Sequence, residues 1–78
     1  MKMQERLNKT HLTYGEMIGK VNDLIIAAEA TRKTLCISNT PCSAEACADL
    51  DAIVVKLGEI SGLLAKDYVD EMQSISNT

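Results

Sequence analysis

The sequence predicts an all-α protein, an antiparallel two-helix hairpin that pairs with a second copy to form a four-helix bundle. Three observations predict this fold class. Apolar residues follow a helical period along most of the chain, one short polar break divides it, and the apolar stripes on either side match in length. The 78 residues therefore form a single domain.

The first helix is predicted over about residues 3–36. Its apolar stripe recurs at seven-residue steps, through Leu7, Tyr14, Val21, Ala28 and Leu35. Thr13 and Glu16 also have the spacing of a capping box, which would start the helix properly at Tyr14. Because the stripe does not break at Thr13, we favour one continuous helix.

A polar break at residues 37–40 separates this helix from a second one, predicted over about residues 41–72. Thr40 and Pro41 suit the N-cap and the first helical position, where the N–H that proline lacks would be unpaired anyway. Residues 73–78 are polar apart from one isoleucine and are predicted to be a frayed tail.

The short connection makes the two helices antiparallel neighbours, so that facing residue numbers sum to roughly 78. Residues 1–40 carry six basic and four acidic side chains, a net +2, and residues 41–78 carry two basic and seven acidic ones, a net −5. The antiparallel arrangement is predicted to bring the basic start of the chain, Lys2, Arg6 and Lys9, against its acidic end.

All four glycines lie inside the predicted helices, as two pairs with three residues between the members. Small residues ringed by aliphatic ones predict a close helix–helix contact on a flank that the hairpin itself leaves open. A second copy is the expected partner, since most oligomers are symmetric dimers. The alternative is that the glycines relieve crowding or permit a bend within the hairpin. The predicted interface consists of Leu12, Gly15, Gly19, Ile26, Val55, Gly58, Gly62, Ala65 and Val69.

Composition excludes several classes of function. A net charge of −3 and a 3% aromatic content argue against direct nucleic-acid binding. The longest apolar run is far too short to cross a bilayer, and the polar first residues do not resemble a secretory signal, so a cytoplasmic protein without membrane contact is expected.

Residues able to do chemistry are few. His11 is the only histidine, and the hairpin places it near Asp67 and Tyr68. No phosphate-binding loop, catalytic triad or metal-ligand spacing is present, so no enzyme activity, cofactor or metal is predicted. Of the three cysteines, Cys47 lies on the packed stripe. Cys36 and Cys42 are the candidate redox pair across the loop.

These features predict a small acidic interaction protein that binds a partner protein as an adaptor, regulator or inhibitor, of the kind found in bacteria and their phages. One alternative is an acidic mimic of nucleic acid that inhibits a nucleic-acid-binding complex, for example a phage inhibitor of host defence. A second alternative is a redox or metal sensor at the cysteine loop. The acidic patch of the mimic would consist of Asp49, Asp51, Glu59, Asp67, Asp70 and Glu71.

Overall fold

The computed structural model describes residues 2–77 and shows two α-helices joined by a short loop. The first helix, α1, runs from Lys2–Ser38 and the second, α2, from Ser43–Ser76. Contacts of His11 with Tyr68 near one end and of Cys36 with Cys47 near the other establish that the helices are antiparallel. The predicted hairpin is thereby confirmed. Helix α1 continues through Thr13 without a break.

The loop lies two residues later than the break predicted at residues 37–40. Helix α1 ends at Ser38, and the next residue, Asn39, has a left-handed φ of 52°, a conformation that commonly follows a helix and that asparagine tolerates. The backbone N–H of Ser43 then donates to the carbonyl of Thr40 at 3.0 Å. Residues 39–42 therefore form the connection.

Pro41 belongs to a turn that precedes α2, and the predicted cap at Thr40 is not formed. Residues 40–43 have the hydrogen bond of a type I turn. Cys42, with φ −91° and ψ −2°, takes the third position of that turn, and Pro41 takes the second. The fixed φ of proline suits this position as well as the first residue of a helix, which is why the sequence pattern fits both. Cys42 is the N-cap of α2 and makes no capping hydrogen bond with its side chain.

The prediction of a frayed tail is wrong for the described residues. Helix α2 extends to Ser76, and the backbone N–H of Asn77 donates to the carbonyl of Gln73 at 2.9 Å. Ile75 is only 3% exposed and continues the apolar spacing of Tyr68 and Met72. This end of α2 is ordered because α1 begins at Lys2 and covers it.

The two helices bury few side chains. Among the described residues Cys47 and Ile75 are the buried ones, whereas the five predicted seven-residue positions of α1 are half-buried. The molecule measures 59 × 15 × 9 Å with a radius of gyration of 17.7 Å, whereas a compact domain of this length has about 11–12 Å. The hairpin is therefore a single layer of two helices, while stable domains usually pack at least two layers.

Candidate functional site

The predicted interface residues lie on an open surface of the hairpin, which we call the glycine face. The glycine face consists of Leu12, Gly15, Gly19, Ile26, Val55, Gly58, Gly62, Ala65 and Val69. Every member is exposed except Gly19, which is half-buried. Leu12 is 71% exposed and Ile26 64%, so large aliphatic side chains stand in solvent beside the glycines.

The glycines do not relieve crowding within the hairpin. A Cβ placed on any of them meets no other group within 4 Å in the described part of the chain. None of the four has a positive φ, so none is required by backbone conformation. The alternative interpretation of crowding inside the hairpin is therefore wrong.

Helix geometry places the two halves of the glycine face on the same broad side of the hairpin. Successive residues turn by about 100°, and antiparallel helices present flanks of the same rotational sense to the same side. The ion pair between Arg32 Nε and Asp51 Oδ1, at 2.6 Å, joins the packed stripe of α1 to the glycine-bearing flank of α2 nearer the loop. The observed register sets Gly19 of α1 beside Gly62 of α2.

Charge is absent from a strip along this side over residues 4–30 and 55–76, with Lys66 at the outer edge of the strip. The strip that contains the glycine face carries only apolar and neutral polar residues, in a chain that is 24% charged. Lys33 and Asp51 are the first charged residues to occupy it, near the loop. The uncharged strip comprises Gln4, Asn8, Leu12, Gly15, Gly19, Asn22, Ile26 and Ala30 on α1, and Val55, Gly58, Gly62, Ala65, Val69, Gln73 and Ser76 on α2.

A second apolar surface lies on the opposite broad side, which we call the aliphatic face. The aliphatic face consists of Met17, Leu24, Ile53 and Ile60, all exposed. Sequence reasoning placed these residues in the packed stripe and so missed the surface. A helix with only one neighbouring helix buries a narrow stripe of its surface. The apolar stripe in the sequence is broader than this, so its outer residues stay exposed. Charged residues, among them Glu71, interrupt this face.

A shallow hollow of about 190 Å³ opens beside the glycine face. It is lined by His11, Tyr14, Gly15, Ile18 and Tyr68. The predicted approach of His11 to Tyr68 is confirmed: the Nδ1 of His11 lies 2.9 Å from the Tyr68 hydroxyl, within hydrogen-bond distance. Burial raises the pKa of Tyr14, and the negative charges of Asp67 and Glu71 raise it further. The lining is mainly apolar and suits a hydrophobic side chain better than a polar substrate.

The cysteines are arranged differently from the predicted pair of Cys36 and Cys42. The sulfur of Cys36 lies 3.6 Å from that of Cys47, and the sulfur of Cys42 lies 3.6 Å from the hydroxyl of Thr40. The reason is the later loop, which shifts the facing residues by about three to five positions and brings Cys47 opposite Cys36. Within residues 2–77 no group of three or more histidine, cysteine or acidic side chains is placed to hold a metal ion.

The six residues of the predicted acidic patch are all exposed. Asp51 pairs with Arg32, and Glu59 pairs with Lys56 at 3.4 Å. Steps of about 100° place five of the six acids within about a third of the circumference of α2, and Asp51 lies outside that sector. Over the described residues no ion pair joins the basic start of α1 to the acidic end of α2, so the predicted meeting of these charges does not reach contact distance.

No helix in the described part of the chain has the length and hydropathy needed to span a membrane. Comparison of the chain with protein-family models, with curated proteins and with solved structures found no match.

Proposed function

We propose that this chain is a non-enzymatic protein-interaction module whose first partner is a second copy of itself. The glycine face is the interface, and the product is a symmetric four-helix bundle. The observation that carries the proposal is the pair of glycine pairs on one uncharged side, in a hairpin that gives them no internal role.

The four glycines destabilise the helices that contain them. In a helix interior each glycine lowers stability by about 0.8–1 kcal/mol relative to alanine. Four of them lower it by roughly 3–4 kcal/mol, a large fraction of the 5–15 kcal/mol typical of whole domains. Because no atom of the described residues outside the glycine's own helical turn lies within 4 Å of a Cβ added to any of the four, we infer that the compensating contact comes from outside the hairpin.

A second copy fits this surface better than an unrelated protein in three respects. The glycine pairs lie near the middle of both helices, close to residues 20 and 60. A two-fold axis through this central region places the glycines of one copy against those of the other. The two hairpins then overlap along their full length. With extents of 59 and 15 Å, a broad side offers on the order of 900 Å², close to the roughly 800 Å² that each partner contributes to a standard interface.

The third respect is charge. Each chain has a net charge of −3, and like charges brought together oppose association. The uncharged strip lets two such chains approach without facing charges. The aliphatic face lacks this property because charged residues interrupt it, so we assign the self-association to the glycine face.

The test compares a bulky substitution on the glycine face with a matched one elsewhere on the same helix. In the Gly62→Leu variant the leucine side chain prevents the helices of two copies from approaching closely. We therefore expect a monomer at concentrations where the wild-type chain is a dimer. Ala52→Leu makes a similar change at an exposed position that points away from both faces, and we expect it to leave the dimer intact. Light scattering reports the mass, and circular dichroism checks that helicity is retained.

A third variant separates the two apolar faces. Leu24→Gln removes an exposed side chain from the centre of the aliphatic face. A dimer that survives Leu24→Gln but not Gly62→Leu supports the assignment. The assignment is wrong if the Gly62→Leu variant is still a dimer. It is also wrong if Leu24→Gln dissociates the dimer and Gly62→Leu does not.

A further inference from the structure

The sulfur atoms of Cys36 and Cys47 face each other across the two helices beside the loop. Their separation is 3.6 Å, against about 2.05 Å in a disulfide bond. Forming the bond therefore requires the two sulfurs to approach by about 1.5 Å. The pair lies between the last turns of α1 and the first turns of α2, and both thiols are free.

The two thiols differ in access to solvent. Cys36 is exposed, whereas Cys47 is buried at 9% exposure. Arg32 contacts both sulfurs. Its Nη1 lies 3.9 Å from the sulfur of Cys36, and its carbonyl oxygen lies 3.9 Å from the sulfur of Cys47. This is the arrangement of an attacking thiol with a resolving thiol behind it.

We propose that Cys36 and Cys47 form a reversible disulfide by exchange with a low-molecular-weight disulfide of the glutathione class. The Cys36 thiolate attacks one sulfur of the small disulfide, and the first small thiolate leaves with the electron pair of the broken bond. Cys47 then loses its proton and attacks the Cys36 sulfur, and the second small thiolate leaves. Each small thiolate takes up a proton, so two protein thiols and one small disulfide give one protein disulfide and two small thiols.

Cys42 takes no part in this ring closure. It is exposed and contacts Thr40, so it has no resolving thiol in contact. It can form a mixed disulfide with the reagent, but that adduct persists until a free thiol removes it. The disulfide of Cys36 with Cys47 instead closes the loop end of the hairpin, and its formation is independent of whether the glycine face binds a second copy.

The experiment treats the folded Cys42→Ser variant with glutathione disulfide and reads the intact mass. We expect the loss of two hydrogen atoms, about 2 Da, without a retained glutathione adduct. Peptide mapping should then show a link between residues 36 and 47. The Cys42→Ser/Cys47→Ser double variant should instead retain one glutathione adduct at Cys36, because no resolving thiol is left.

A thermal readout checks the structural consequence. Closing this short loop should raise the unfolding midpoint of oxidised Cys42→Ser by on the order of 10 °C, and an added thiol reductant should reverse the shift. The proposal is wrong if folded Cys42→Ser keeps adducts without ring closure, or if it forms only disulfides between chains. A wild-type chain that links Cys36 to Cys42 under native conditions would also overturn it.

Discussion

Tyr14 is the titratable side chain that reports most directly on the packing between α1 and α2. Its ring centroid lies 5.8 Å from that of Tyr68 on the facing helix. Burial is the first cause of its raised pKa, followed by the charges of Asp67 and Glu71. Folding therefore favours the neutral form of the Tyr14 side chain relative to the unfolded chain.

This shift has a definite consequence for stability at high pH. Because the pKa of Tyr14 is higher in the folded chain, its contribution to stability is fully present below about pH 10, the ordinary pKa of tyrosine, and is lost as the pH rises through the folded value. In a Tyr68→Phe background, where Tyr14 is the remaining phenol, absorbance titration should give a midpoint above 10. Adding Asp67→Asn should lower this titration midpoint, because it removes a negative charge that raises the pKa of Tyr14. A midpoint at or below 10 in the Tyr68→Phe background would contradict the described packing.

Ile75 is the residue that anchors the C-terminal end of α2. It is the most buried described side chain, although the polar residues around it predicted a frayed tail. The end of a long hairpin has few other contacts to resist fraying, so this one side chain has a large effect there.

Truncation of Ile75 should therefore destabilise the hairpin much more than truncation of an exposed isoleucine. We expect Ile75→Ala to lower the free energy of unfolding by about 2 kcal/mol or more. Ile37→Ala, at a position that is 84% exposed, should change it by less than about 0.5 kcal/mol. Urea denaturation followed by circular dichroism measures both. Equal effects of the two substitutions would show that the end of α2 is not anchored by Ile75.

Periodicity alone predicted the two helices and the packed positions between them, because the spacing of apolar residues determines which side of a helix is buried. It could not determine the width of the packed stripe. Met17 and Ile60 fit the stripe, yet they are exposed because each helix has only one neighbour. That distinction depends on the number of neighbouring helices, which the sequence of one chain does not specify.

The cysteine pairing was missed for a related reason. Pro41 fits both the first residue of a helix and the second residue of a type I turn, and the choice moves the loop by two residues. Because facing positions depend on the centre of the loop, Cys36 meets Cys47 instead of Cys42. A site that depends on register across two helices therefore needs the turn geometry, whereas a site along one face, such as the glycine face, does not.

The whole molecule is a rod that lacks a second layer. Its length and its open sides follow from two long helices packed side by side. A second copy laid on the glycine face would supply the missing layer and cover the side chains that stand in solvent there. The central claim is therefore that the chain associates with itself.

Sedimentation equilibrium of the wild-type chain, measured from low to high micromolar concentration, tests this claim most directly. Self-association predicts a mass that rises with concentration to about 17 kDa, the value for a two-fold symmetric dimer of the 8.5 kDa chain. A mass that stays at 8.5 kDa over the whole range would contradict it.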